Sequence, residues 1–297
     1  MCRPGYYNCA LSGWILDPDR KKMSKSKGNV VTPKGLLDQY GSDAVRYWAA
    51  NGRPGTDTAF DEGQMKIGRR LAIKILNASK FAFNLAGDAQ PSSDGVTNPL
   101  DQALLARLAE LVETATVAFE SFDYARALER TEAFFWSFTD DYVELVKGRA
   151  YGGQGDDQAR SAHVALATAL DTLLRLFAPF LPFVTEEVWS WANEGSVHRA
   201  AWPDAAALAA QATRAGAVDT SVLDVAGEIL SEVRRAKTEA KQSLRAEVER
   251  CVITDTSQRL ALVQLASADI EDAGRIDELV LQNGDATVVE VTLAQES

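Results

Sequence analysis

Between positions 20 and 30 the chain reads Arg-Lys-Lys-Met-Ser-Lys-Ser-Lys-Gly-Asn-Val. Five cations, Arg20, Lys21, Lys22, Lys25 and Lys27, fall within eight positions, interleaved with Ser24 and Ser26 and closed by Gly28. A core excludes such a run, because each ammonium would need a buried partner. A mobile loop carrying ammonium groups, hydroxyls and backbone N–H groups suits the phosphates of a nucleotide, whose charge spreads as a phosphoryl bond breaks. The same composition also allows a solvated basic loop or a targeting-type basic patch.

The elements around the run are readable from turn and cap chemistry. Val30-Val31 reads as a short strand, and Thr32-Pro33 as the N-cap and first position of a helix that Gly41 ends. Ser42-Asp43 caps a second short helix to Ala50. A long helix then runs from Asp61 to about Leu85, with Asp61 and Glu62 at its positive end. Helical blocks follow at 100–120, 123–150 and 157–178. After the breaks at Pro179 and Pro182, Thr185-Glu186-Glu187 caps a short helix to Ala192. Four long helices with short connections predict a bundle. Residues 203–220 read as an alanine-rich helix or linker. Beyond them come a charged helix at 222–244, a strand at 247–254, a helix at 256–267 and strands at 278–282 and 287–293, a small α+β unit.

Winding 61–86 at the helical period places Ile67, Leu71, Ile75, Ala78, Ala82 and Leu85 on one stripe. Lys66, Arg69, Arg70, Asn77, Lys80, Phe81 and Asn84 lie on the flank beside it, and Ala72, Leu76, Ser79 and Phe83 on a third face. The flank is basic and amide-bearing with a single aromatic. Cations grip phosphates, amides bond base edges, and a ring stacks an unpaired base. The alternative is a solvated basic face with Phe81 in the core; the nucleotide-type loop nearby favours RNA contact.

Composition sets bounds on the rest. The 297 residues are 46% hydrophobic, enough for one or two cores, and carry a net charge of −11. Cations concentrated at 20–27 and 66–80 on an otherwise acidic body fit a protein that holds one structured RNA rather than any nucleic acid. There is no eighteen-residue apolar run, hence no predicted membrane span, and the N-terminus does not read as a signal peptide. Cys2, Cys9 and Cys251 lack paired spacing and suit a reducing cytoplasm. With His163 and His198 far away in sequence, no metal site is expected.

Residues 9–86 resemble valyl-tRNA synthetases, members of class I. The resemblance rests on Gly13-Trp14-Ile15-Leu16-Asp17-Pro18-Asp19-Arg20-Lys21 leading into the Lys-Met-Ser-Lys-Ser signature, and on Gly41-Ser42-Asp43-Ala44-Val45-Arg46-Tyr47-Trp48. It continues with Arg53-Pro54-Gly55-Thr56-Asp57-Thr58-Ala59-Phe60, Gly68-Arg69-Arg70-Leu71-Ala72-Ile73-Lys74 and Asn77-Ala78-Ser79-Lys80-Phe81. Phe134-Phe135-Trp136, Asp141-Tyr142-Val143-Glu144, Ala178–Pro182 and Thr185-Glu186-Glu187-Val188-Trp189 are similar to strings shared by valyl, isoleucyl and leucyl enzymes. By periodicity alone their aromatics are ordinary core.

The resemblance implies a mainly α chain. It would comprise the end of a class I catalytic domain with a stem-contact region (1–60), an anticodon-binding helical bundle (61–202), a linker (203–220) and a small α+β domain (221–297). It implies ATP binding by Lys22, Met23, Ser24, Lys25 and Ser26. Lys22 and Lys25 would be the catalytic cations on the phosphates during adenylate formation, and Gly28 the hinge. Lys66, Arg69, Arg70, Asn77, Lys80, Phe81 and Asn84 would contact tRNA. The implied partners are a valine-accepting tRNA, ATP with its Mg2+, and valine, in the cytoplasm.

The chain departs from that family by lacking the His-Ile-Gly-His-type motif, the upstream nucleotide fold and the editing domain. It therefore reads as the C-terminal third of a synthetase, with 1–8 as a start-site or frameshift artefact. A non-catalytic tRNA-binding module, a decayed gene product and a leucyl- or isoleucyl-type fragment are the alternatives. Alone it is expected to be inactive, and Trp14, Ile15, Tyr47 and Trp48 are expected to be partly uncovered.

Overall fold

The computed structural model describes residues 11, 13–91, 94–217 and 219–294. Residues 1–8, Cys2 and Cys9 lie outside the described residues. The fold is mainly helical, with a small three-stranded sheet near the end of the chain. Two compact units interleave along the sequence. One holds residues up to 80 together with 111–133 and 172–203, and the other holds 81–110, 134–171 and 204 onward.

In the first unit, β1 (Ile15–Leu16) pairs in parallel with β2 (Thr58–Ala59). Helix α1 is Pro33–Tyr40, with Thr32 at its N-cap and Gly41 closing it, as the Thr-Pro and Gly signals require. The predicted strand at Val30-Val31 does not form; both side chains are exposed, with no neighbouring strand among the described residues to bury them. Helix α2 spans Ser42–Ala50. Tyr40, Ala44 and Trp48 meet Phe60 and Met65 in a buried cluster against which Met23, Leu36 and Val45 pack.

The expectation that Tyr47 and Trp48 are uncovered is therefore corrected. The Tyr47 hydroxyl donates to Glu132 at 2.8 Å and the Trp48 indole donates to the Ala59 carbonyl at 3.2 Å, so both rings close inside the unit. Trp14 and Ile15 do remain exposed. Gly68, in the long helix α3 (Glu62–Ala86), lies so near Tyr47 that a Cβ there would sit 2.6 Å from the tyrosine Cβ; only glycine permits this approach.

Asp43 does not cap its own helix. Its carboxylate accepts from the backbone N–H groups of Phe183 (3.1 Å) and Val184 (2.8 Å), the first turn of a helix at Pro182–Trp189. That helix starts at the proline rather than at Thr185, because Asp43 supplies from a distance the acceptor that its own N-terminus lacks. Three residues on, Arg46 donates to the carbonyls of Pro179 (2.8 Å) and Phe180 (3.3 Å). One face of α2 thus grips both sides of the 178–182 break.

The remaining helices take the labels α4 (Pro99–Glu120), α5 (Tyr124–Ser137), α6 (Val143–Ala150), α7 (Asp156–Phe177), α8 (Pro182–Trp189), α9 (Ala205–Thr213) and α10 (Ser221–Glu239). The block expected at 123–150 is continuous in path but interrupted by a π-turn at Phe138–Tyr142. Arg234 of α10 donates to the Asp140 carbonyl within that turn at 2.8 Å.

The second unit is organised around a fully buried guanidinium. Arg149 donates to both oxygens of Asp101 at 2.7 Å and, through Nε, to Asp269 at 2.9 Å. Tyr142 and Ser161 also donate to Asp101, at 2.7 and 2.5 Å. Burial opposes the Arg149 charge, but the paired aspartates hold its affinity for the proton above the usual range; burial pushes the Asp269 carboxyl and the Tyr142 phenol up. The helix expected at 256–267 is α11 (Ser257–Leu265), and after a break at Ala266 a further helix that the sequence did not signal follows, α12 (Ser267–Gly274). Asp269 stands on α12, so the network ties α4, α6 and α12 together. The sheet order is β4 (Ile276–Asn283), β3 (Val248–Asp255), β5 (Val288–Leu293), parallel on one side of β3 and antiparallel on the other. Cys251 is buried in β3, and burial pushes its thiol up to about 11.

Candidate functional site

The basic run folds as a fastened turn. Asp17 and Lys21 pair through their backbones (2.9 Å), and the Asp17 carboxylate also accepts from the Lys21 N–H at 2.7 Å. Asn29 then crosses the base of the loop. Its amide nitrogen donates to Asp17 (2.8 Å) and to the Lys22 carbonyl (3.3 Å), while its oxygen accepts from the Ser24 N–H (2.9 Å). The Asn29 hydrogen bond, followed by that of Lys21, holds the Asp17 carboxyl below the usual carboxylate range. Sequence reasoning missed both residues. The signal available was an amide directly after Gly28 and an aspartate opening the preceding turn.

Within this frame Lys25–Lys27 form one 3-10 turn that ends on Gly28 at φ +68°, a conformation glycine adopts without steric cost. Lys22, Lys25, Ser26 and Lys27 are exposed, and Ser24 and Ser26 share a hydroxyl contact of 3.2 Å. The Lys22 ammonium rests 4.0 Å over the Trp14 ring. Met23 turns the other way and packs on the buried cluster around Trp48, which anchors the loop to α1 and α2. The structure therefore brings Lys22, Ser24, Lys25 and Ser26 together in one loop and turns the Met23 side chain inward. A loop fixed at its base and cationic at its tip can receive a polyphosphate without burying any charge in the free state.

Helix α3 presents the expected flank. Lys66, Arg69, Arg70, Asn77 and Lys80 are exposed in the first unit, and Ile73 is exposed among them. Two of these cations are already engaged. Arg69 donates to the Gln39 carbonyl at the end of α1 (2.7 Å), and Lys80 lies 5.8 Å over the Trp191 ring. Beside Arg69, the Tyr40 hydroxyl donates to Glu62 at 2.6 Å and accepts from Gln39 at 2.9 Å. In the second unit Asn84 is exposed, while Phe81 is half-buried with the Lys147 ammonium 4.9 Å over its ring. Trp191 and Lys147 are partners that the sequence did not disclose, since they come from segments more than sixty residues away, the turn after α8 and helix α6.

Known proteins place the chain clearly. Residues 101–252 match the anticodon-binding domain of tRNA ligase, and residues 3–61 match the class I tRNA synthetases (I, L, M and V). A valine–tRNA ligase of Salinispora tropica is 58% identical over 95% of this chain and 34% of its own length. One of Thermobifida fusca is 58% identical over 96% of this chain and 32% of its own, and one of Leifsonia xyli 53% identical over 97% and 33%. The chain spans about a third of the length of the curated relatives it matches. Among solved structures, the agnB2 LeuRS of Agrobacterium radiobacter K84, in a ternary complex with tRNA and LeuAMS, shares the fold. Its TM-score is 0.52 at 15% identity, over 96% of this chain and 33% of that one. With more than half of its residues matched by one family description, the chain belongs to the family of the anticodon-binding domain of tRNA ligases.

Proposed function

We propose that this chain is the part of a valine–tRNA ligase that carries the signature loop and the anticodon-binding helices. The observation that carries the reading is the 58% identity to valine–tRNA ligases over 95% of the chain; the fastened cationic loop supports it. In the longer enzyme ATP would be bound by Lys22, Met23 (through its backbone), Ser24, Lys25 and Ser26, with Lys22 and Lys25 catalytic through the phosphate charge that develops as valyl-adenylate forms. Mg2+ would come with ATP, as the family resemblance implies. A valine-accepting tRNA would lie against Lys66, Arg69, Arg70, Asn77, Lys80, Phe81 and Asn84, with cations on phosphates and Phe81 on a base.

The same reading makes 1–60 the end of a catalytic domain with the stem-contact region, 61–202 the anticodon-binding bundle, 203–220 a linker and 221–297 an appended α+β domain. No helix among the described residues is long and apolar enough to cross a membrane. The proposed action on tRNA would take place in the cytoplasm. The test is filter binding of the 297-residue chain to valine tRNA and to a tRNA for another amino acid. Salt-sensitive binding that favours valine tRNA is expected; equal affinity for both would reduce the chain to an unselective RNA-binding module.

A further inference from the structure

Phe81 carries the one ring on the RNA-facing flank of α3, and its face is taken. Lys147, on α6, holds its ammonium 4.9 Å from the ring centroid. The chain has 42 acidic residues against 31 cations, yet Lys147 has no carboxylate partner among the described residues, and Glu144 one turn before it on α6 forms no ion pair with it. Phe81 and Lys147 are both half-buried, so ring and ammonium are accessible together. A cation over an exposed ring is a weak contact, weaker than a base stacked on the same ring. A nucleobase therefore outcompetes the ammonium for the ring, and the ammonium it expels is left within reach of that nucleotide's own phosphate.

We infer that Lys147 is a displaceable cover on Phe81: in the free protein it occupies the face a base would take, and on RNA binding it moves from the ring to the phosphate of the stacked nucleotide. The proposal rests on the tRNA-binding reading of Phe81 given above. It adds a specificity element from a helix 66 residues downstream, because only an unpaired base can lift the cover, whereas a duplex offers phosphates without a free ring face.

The probe is an anticodon stem–loop RNA of a valine tRNA, titrated by fluorescence anisotropy against the full chain across a range of salt. Lys147→Met keeps the aliphatic stem over the ring and removes the charge. It is expected to lower the slope of log affinity against log salt by about 0.7, one single-strand phosphate contact, which is about fivefold in affinity at 0.1 M salt. In the NMR spectrum the ε-methylene protons of Lys147 are expected to be ring-current shifted in the free chain and to lose that shift in the complex. Phe81→Leu is expected to abolish the shift and to shrink the cost of Lys147→Met in its background, because the phosphate belongs to the nucleotide that the ring holds. Unchanged or tighter binding by Lys147→Met, or a ring-current shift that persists in the complex, would overturn the cover. A wild-type chain that does not bind the stem–loop at all would overturn the tRNA-binding reading as well.

Discussion

Asn29 donates from its amide to the carboxylate of Asp17 at 2.8 Å, and this pair closes the base of the signature loop. The tip, with Lys25 and Lys27, is exposed beyond that base. Asn29→Ala removes three hydrogen bonds, each worth ~1 kcal/mol, and trypsin is expected to cut between Arg20 and Lys27 at least about fivefold faster while the melting temperature of the chain hardly moves. Equal cleavage rates would show that the loop is fixed by something else. Cleavage in wild type is expected to begin in this loop and to spare the chain from α1 onward, since Tyr47 and Trp48 are closed into the core.

Two carboxylates of the same unit titrate with opposite sign. Asp17 is held below the usual range by Asn29 and Lys21, so its contribution is present above the ordinary carboxylate value, about 4, and is lost as pH falls through the lowered one. Asp43 is pushed up by burial, against the opposing N–H groups of Phe183 and Val184. Stability from Asp43 is therefore greatest in acid and declines as pH rises from the ordinary value through the raised one. Asp43→Asn should flatten that decline in a denaturation series across pH 3–7, and Asp43→Ala should cost about 1 kcal/mol through loss of the cap on α8. A decline of unchanged steepness in Asp43→Asn would assign it to another group.

Arg149 neutralises Asp101 and Asp269 with no exposure to solvent. Arg149→Met leaves two buried carboxylates without a cation and is expected to destabilise the chain by about 3–5 kcal/mol in urea. The double change with Asp269→Leu should recover part of the loss. Additive losses would mean that Asp269 is not coupled to the guanidinium.

The two neighbouring arginines of α3 should separate. Arg70→Gln is expected to weaken all tRNAs alike and to reduce the salt dependence by about one phosphate. Arg69→Gln should do the same and also loosen α1, because the Gln39 carbonyl loses its donor; hydrogen exchange of residues 33–41 reads that difference. Phe81→Leu should cost roughly 1–3 kcal/mol of RNA binding and reduce the preference for valine tRNA. If Phe81→Leu instead unfolds the chain without a selective RNA effect, the ring belongs to the core.

By itself the 297-residue polypeptide is expected not to catalyse valine-dependent ATP–pyrophosphate exchange. In the proposed reading Lys22 and Lys25 would offer one side of a phosphate site, and positioning the attacking carboxylate requires groups that face them. Measurable exchange that disappears in Lys25→Ala would overturn this.

The sequence by itself determined the cationic loop, the helices and the exposed flank of α3. Charge density forbids burying 20–27, cap and proline chemistry sets helix starts such as Pro33, and the 3.6-residue period sorts Leu71, Ile75 and Leu85 from Lys66 and Arg70. These are local properties, legible within a few turns of chain. What only the tertiary structure decided are the partners that arrive from far away. Asp43 caps a helix 140 residues downstream, which moved the start of α8 to Pro182. Glu132 and Ala59 take the polar atoms of Tyr47 and Trp48, which closed rings expected to be open. Arg69 spends a donor on α1, Met23 turns inward, and Lys147 lies on Phe81. A polar side chain reads as exposed in sequence until its partner is known, because burying it is costly alone and tolerable when paired.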